Sequence, residues 1–361
     1  MTETSKYHGQ TTLAIRKLMI PIDLTVPTDH ERVVEWVDES SGYHGFIAVH
    51  STRLGPGVGG TRLLNYATRQ AALDDALRLS RAMSLKAALA GVPFGGGKAV
   101  VIGDARTVDR EALFRIHGQF IHALEGSFIT GEDVGTSPSD MAIIRRETPY
   151  AAGTTDPSPS TARGVVEAMR GAAEFLWGSD DLGGRTVALQ GCGNVGFHLA
   201  GELAAAGVSL LASDIDPERV DRVVRTFGAR AVAPDAILDV EADILAPCAL
   251  GAILSAETVP RLRVAAVVGA ANNQLRDDNA ATLLSERNIL HVPDFVASAG
   301  GIIDGTREIC GWSELRAAET VRRIRNTTVH VLELSTTDRI PPTVAAERLA
   351  WSLLSTPRTP T

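Results

Sequence analysis

Apolar positions along the chain recur with two periods. From Val33 to Val49 they follow strand patterning on either side of the turn residues Glu39–Gly42, which predicts two strands, the second being GFIAVHST. Over Thr68–Leu89 the period is helical: Ala72, Ala76, Leu79, Met83 and Ala87 fall on one face, and Lys86 lies near the end. Glu111–Leu124 predicts a second helix. Two glycine-rich stretches lie around the first helix. Leu54–Arg62 reads as a loop; GVPFGGGKAVVIG (91–103) reads as a turn, a glycine run at close approach, and a strand. Phe128–Ile144 predicts a short strand, a loop carrying Glu132 and Asp133, and a helix capped by Ser137 or Ser139. Near the start, LMIPIDLTVP (18–27) reads as a loop or an edge strand because of its prolines.

TTDPSPSTARG (154–164) is rich in proline, serine and threonine. It marks a domain boundary and leads into a helix over Gly164–Trp177. Beyond it strands and helices alternate. GRTVAL, VSLLASDID, ARAVA, DILAPCAL, VAAVVGAANN and ILHVPDFV read as strands; Phe197–Ala206 and Pro217–Thr226 read as helices. Such alternation predicts βαβ units and a parallel sheet. The tail from Ser313 is helical, broken at RIPPT (Arg339–Thr343). The fold class is therefore α/β, with 361 residues sufficient for two domains.

Composition narrows the function. A net charge of -8 argues against nucleic acid as a partner. No apolar run reaches the roughly 18 residues that cross a bilayer, so no membrane role is expected. Three widely spaced cysteines (Cys192, Cys248, Cys310) form neither a disulfide framework nor a metal-ligand spacing. With a polar N-terminus, they lead to the expectation of a reduced, cytoplasmic setting and no metal.

The firmest motif is a dinucleotide signature. Gly191, Gly193 and Gly196 fit G-x-G-x-x-G between an apolar strand and a helix, with Asn194 and Val195 inside it. The glycines serve a tight turn, backbone approach to a pyrophosphate, and helix–strand packing. Asp214 ends the next strand 18 residues after Gly196, where an acid binds the ribose hydroxyls and repels a 2′-phosphate. NAD is thereby favoured, and Arg219 a few residues on keeps NADP open. Asn272 and Asn273 end a strand, where a polar pair faces the ligand crevice of a parallel sheet or simply makes a turn. Cys248, at a similar strand end, reads as a packing residue beside the cofactor rather than a nucleophile. His198 reads as a packed or surface helix residue, and His291 and His330 as satisfied core histidines. Lys98 and Asp133 have plain readings too. Taken alone, the first is a lysine snorkelling beside a strand and the second a turn aspartate.

Together these residues change the picture. LGPGVGGTR, ALRLSRAMSLKAALAGVPFGGGKAVVIGD, TGEDVGTSPSDM, PSPSTARGV, QGCGNVG, DILAPCALGAIL, GAANNQL and VPDFVASAGGII occur in that order. The chain resembles the leucine/phenylalanine/valine dehydrogenases of the glutamate dehydrogenase superfamily over roughly residues 33–350. The resemblance implies NAD-dependent, reversible oxidative deamination of a hydrophobic L-amino acid to a 2-oxo acid and ammonia. It implies a homo-oligomer and two domains separated by a cleft. Residues 1–152 and 332–361 would form the substrate-binding and oligomerisation domain, and 153–331 the Rossmann domain. Carried over, Lys86 would grip the substrate carboxylate. Lys98, its pKa lowered by burial and by the nearby Lys86, would activate the attacking water. Asp133 would shuttle protons to and from the amine. Backbone groups of Gly59 and Gly60 would hold the substrate, and Asn272–Asn273 would lie near the nicotinamide.

The resemblance also places the side-chain pocket on Val58, Met83, Gly131, Ile302 and Gly305. Two glycines where side chains usually narrow such a pocket point to phenylalanine or tryptophan over leucine or valine. Two departures stand out: the loop before PSPS is short, and Ser298 stands where the family usually has asparagine. The alternatives are a secondary-metabolism dehydrogenase for an unusual aromatic amino acid and a non-catalytic NAD-binding regulator. The regulator predicts loss of Lys98 or Asp133, and both are present.

Overall fold

Two six-stranded sheets organise the chain. The structure is a computed structural model that describes residues 22–25, 29–39, 41–104, 106, 109–153, 155–249 and 251–355. The first sheet contains β1 (Ile22–Asp23), β2 (Arg32–Asp38), β3 (Tyr43–Ser51), β4 (Gly57–Leu64), β5 (Gly95–Ile102) and β6 (Phe128–Glu132). Their order is β1-β2-β3-β5-β4-β6. The sheet is mixed: β1–β2, β2–β3 and β3–β5 pair antiparallel, and β4 runs parallel to β5 and β6. α1 (Arg69–Ala90) covers one face, and α2 (Arg110–His122) and α3 (Pro138–Glu147) cover the other. Alternation along β5 shows it: Val100 packs with Ala72 and Ala76 of α1, while Ala99 and Val101 pack with Phe114 and Ile144. Ser137 caps α3 with a full capping box, one of the two expected caps.

The glycine-rich stretch expected to be a loop is β4 from Gly57 onward, and the glycine run before Lys98 is already inside β5. Glycine is depleted in strands, so pattern reading favours a loop. Here it is required by close approach. A Cβ on Gly96 would overlap the backbone nitrogen and hydroxyl of Ser84 in α1, and one on Gly95 the Ser51 carbonyl. The α1 stripe also differs in detail. Its buried line runs Ala72, Ala76, Ser80 and Ser84, while Leu79 and Met83 are half-buried. Small serines let the helix settle on the glycines. Their hydroxyls are satisfied by His30 and His50, at 2.9 and 2.8 Å.

The second half begins with α4 (Ser158–Trp177), which starts ahead of the expected Gly164. Prolines at a helix start cost little, because the first N–H groups have no intrahelical partner. There follow β7 (Thr186–Gln190), α5 (Asn194–Ala205), β8 (Ser209–Ser213), α6 (Pro217–Phe227), β9 (Arg230–Ala231) and β10 (Ile244–Pro247). Then come β11 (Ala266–Val267), α7 (Asp278–Glu286), β12 (Leu290–His291), α8 (Asp294–Ala297) and α9 (Gly300–Cys310). The strand expected over VAAVVGAANN is confined to β11, and PDFV turns into α8. All pairs are parallel in the order β9-β8-β7-β10-β11-β12, the Rossmann arrangement with its switch point between β7 and β10. α10 (Glu314–Asp338) runs unbroken across residue 332 and packs along α4. α11 (Pro342–Ser355) returns to α1, where Trp351 lies under the Arg81 guanidinium at 5.4 Å.

Candidate active site

Lys98 sits in mid-β5 on the face turned to α1, two residues beyond Gly96. Its Nζ lies 2.5 Å from Oδ2 of Asp133, which follows directly on β6. β4 joins the two strands, so the lysine and the aspartate reach each other across it. Burial lowers the Lys98 pKa, and Asp133 pulls it back only in part. Burial alone would raise Asp133. Lys98 and Arg62 outweigh that, and its carboxyl titrates below the ordinary range.

Arg62 was missed in the sequence. Its Nε donates to the same Asp133 oxygen at 2.9 Å, and its Nη1 to Asp75 Oδ2 at 2.9 Å. Tyr66 donates to that Asp75 oxygen at 2.6 Å. The signal was available, since Arg62 closes the GPGVGGTR motif. Arg62 is also a cation that lowers Lys98, a role the sequence had given to Lys86.

Lys86 lies on α1 facing the same cleft. Its Nζ donates to Ser298 Oγ at 3.0 Å, linking the first sheet's helix to the α8–α9 junction. Among the described residues no carboxylate pairs with it within ion-pair distance. Burial lowers its pKa; Asp294 pulls upward and Lys98 downward. Asp294 is itself raised by burial, and its Oδ2 accepts a hydrogen bond from the Asn273 backbone at 3.0 Å.

The glycines divide into two kinds. A Cβ on Gly59 would overlap the Gly97 carbonyl, and one on Gly60 the Glu132 carbonyl, so both have a packing reason to be glycine. A Cβ on Gly131 or Gly305 would meet no heavy atom within 4 Å. Val58 and Met83 from the first half and Ile302 from α9 belong to one apolar cluster that spans both halves.

The dinucleotide turn follows β7 at the switch point. Gly191 has φ 99°, Gly196 lies too close to the Gly191 carbonyl for a Cβ, and Gly193 caps α5 with no side chain on its N–H groups. A Cβ on Gly193 would meet only Arg219 Nη1, at 3.8 Å, so the space before the turn is open. This cradle fits a pyrophosphate. Asn194 is exposed at the first helical position, and Val195 packs on the core. Asp214 accepts from the Cys192 and Asp216 backbones at 2.7 and 2.9 Å, which holds it at the end of β8. Ile215 beside it is 90% exposed. Cys248 lies behind the turn with its thiol pushed up to about 12 by burial, as suits a packing residue. Asn272 and Asn273 are exposed, on a loop rather than at the strand end expected.

His291 is buried and its pKa falls to about 4 through burial, yet its Nε2 has no partner, so it is not the satisfied core histidine expected. His330 is exposed rather than buried. Among the described residues no cluster of metal-ligating side chains occurs, and no helix is long and apolar enough to cross a membrane.

Comparison with known proteins bears on this geometry. Residues 30–150 match the family model "Glu/Leu/Phe/Val dehydrogenase, dimerisation domain", and residues 215–338 match "Glutamate/Leucine/Phenylalanine/Valine dehydrogenase". The chain is 45% identical to a leucine dehydrogenase of Bacillus cereus over 329 residues, covering 89% of the chain and 90% of that protein. It is 41% identical to an L-tryptophan dehydrogenase of Nostoc punctiforme over 326 residues, covering 89% and 92%. The crystal structure of L-tryptophan dehydrogenase from Nostoc punctiforme superposes with a TM-score of 0.83 at 41% identity, covering 90% of this chain and 96% of that one.

Proposed function

The chain belongs to the Glu/Leu/Phe/Val dehydrogenase family and is an amino acid dehydrogenase, and we propose that it deaminates a hydrophobic L-amino acid of aromatic size, phenylalanine or tryptophan, with NAD. The observation that carries this reading is the pairing of two lysines of opposite circumstance, Lys98 buried and Lys86 half-buried. Lys98 is held by a carboxylate, while among the described residues Lys86 is held by a hydroxyl.

In this reading Lys86 takes the substrate carboxylate, since no carboxylate of a described residue lies within ion-pair distance of it. Asp133 accepts a proton from the substrate amine. Lys98, neutral in part because burial lowers its pKa, takes a proton from the water that attacks the imino carbon. Asp133 then returns its proton to the departing ammonia. The dinucleotide, when bound, supplies the two-electron acceptor. Gly191, Gly193, Gly196 and the free N–H groups of α5 would hold its phosphates, Asp214 its ribose, and Asn272–Asn273 its nicotinamide end. The acid at position 214 disfavours a 2′-phosphate, which supports NAD. Open space at Gly131 and Gly305 supports the aromatic side chain. A homo-oligomer assembled through the residues that match the dimerisation model belongs to the same proposal.

The test is turnover on a panel of L-amino acids, followed as NADH absorbance. Lys98→Ala is expected to lower kcat by ~10²- to 10⁴-fold with an unchanged circular dichroism spectrum. Near-normal turnover by that variant would remove the base assignment. Faster use of leucine than of phenylalanine and tryptophan would remove the substrate assignment.

A further inference from the structure

We infer that Arg62 is the positioning residue of the acid–base pair: it fixes Asp133 by one oxygen and so presents the other to the substrate amine. The inference rests on the roles proposed above for Lys98 and Asp133. Its basis is the geometry of the carboxylate. Arg62 Nε and Lys98 Nζ both meet Oδ2, at 2.9 and 2.5 Å, and Oδ1 accepts no hydrogen bond from a described residue. A carboxylate free to rotate would exchange its two oxygens between the cations. Two donors from adjacent strands converging on one oxygen stop that rotation.

Arg62 is itself fixed. Its far nitrogen is tied to Asp75 of α1, and Asp75 is held in turn by Tyr66 and Arg78, at 2.6 Å each. The guanidinium is thus a planar bridge from a helix carboxylate to the reacting carboxylate, a geometry that a lysine, with its single point of charge, cannot reproduce. The Asp133 backbone is secured independently, its N–H donating to Thr136 Oγ1 at 2.9 Å. Arg62 therefore controls the side-chain orientation rather than the loop.

Charge follows from position. The groups that bear on Asp133 are Lys98 of β5, Arg62 of β4, Lys86 of α1 and Tyr66, with Asp75 of α1 acting on both Lys98 and Arg62. Arg62 lowers the pKa of Asp133 and of Lys98 alike. Its removal moves both ionisations the same way, upward.

The experiment compares Arg62→Leu, Arg62→Lys and Lys98→Ala with the unaltered enzyme, using the preferred amino acid and NAD. For Arg62→Leu, kcat is expected to fall ~10²-fold, the cost of a misplaced reacting group, with KM for the amino acid within about threefold. The acidic limb of the kcat/KM profile is expected to move upward in pH. Arg62→Lys is expected to restore the limb but not kcat, since charge returns without the fork. A merely structural arginine would leave the limb in place in every variant. If Arg62→Leu does not fold, Arg62→Lys decides: a ~10-fold loss of kcat at unchanged KM supports the inference, and a normal kcat overturns it. If Lys98→Ala is inactive while Arg62→Leu keeps its kcat and its limb, the inference fails and the acid–base reading stands. If Lys98→Ala remains active, that reading fails first.

Discussion

Replacing Gly131 by alanine places a methyl group where no heavy atom lies within 4 Å. Gly131 is in β6 with an ordinary strand conformation, so the backbone admits the substitution without strain. The fold should be indifferent, and the whole effect should fall on whatever side chain occupies that space. If an aromatic substrate fills it, one methyl too many costs ~1–3 kcal/mol, or ~10- to 200-fold in kcat/KM. A leucine side chain would leave the space partly vacant and gain from the added contact. Burying one further carbon contributes ~0.8 kcal/mol, about fourfold. The ratio of phenylalanine to leucine kcat/KM should therefore fall by about 40-fold or more, from the smaller loss multiplied by the gain. Gly305 in α9 is equally open and gives an independent arm. Gly305→Ala should move the ratio in the same direction and also stabilise the helix by ~0.5–1 kcal/mol, since alanine is the better helix former. The assay is initial NADH formation with each amino acid, alongside thermal melting. A ratio that moves less than threefold in Gly131→Ala and in Gly305→Ala would show that these glycines do not bound the substrate pocket.

Two further outcomes follow from the same geometry. Gly59→Ala, in β4, is expected to destabilise the protein severely, by more than ~4 kcal/mol, because its Cβ would overlap the Gly97 carbonyl of the neighbouring strand; chemical denaturation measures it, and a normal midpoint would contradict the strand pairing. The pH dependence has a definite sign. In its proposed role Lys98 must be neutral, and burial lowers its pKa, so deamination should rise with pH through a limb below the ordinary lysine value of about 10.4. Asp133 raises the Lys98 pKa, so the residual turnover of Asp133→Asn should show that limb at lower pH, opposite to the shift expected for Arg62→Leu; a limb that does not move would mean the titrating group is not Lys98.

The Rossmann half was legible because its signals are local. A glycine triplet between strand and helix and an acid at the next strand end specify the turn without long-range information. The first half was less so. β4 and the start of β5 were hidden because strand propensity describes side chains packing on a pleat, and these strands are made where side chains are excluded. The buried serines of α1 escaped for the same reason: the stripe facing the sheet is chosen for smallness, and hydropathy marks Leu79 and Met83 instead. Lys98 and Asp133 could be named from the sequence but not joined, since their contact crosses β4. Arg62 closes a legible motif, but its contacts were hidden because its two partners, Asp133 and Asp75, stand 71 and 13 residues away.

The difference between the two lysines bears on the order of events. A buried ammonium without a counter-charge is costly, and a neutral hydroxyl offsets only part of that cost. Lys98 meets the difficulty with Asp133, so its site is complete before substrate arrives. Lys86 meets it with Ser298, which lies on the other half of the molecule. In the proposed cycle a substrate carboxylate competes with that hydroxyl for Nζ and wins, because a charge-assisted hydrogen bond is about twice as strong as one to a neutral acceptor. Arrival of the carboxylate then raises the Lys86 pKa, fixes its charge, and frees Ser298. An asparagine at 298 would present Lys86 with a carbonyl, a firmer acceptor than a hydroxyl. Serine makes the contact easier to displace. Under the proposed function, the serine that the resemblance marks as a departure thus falls on the contact that substrate binding would break.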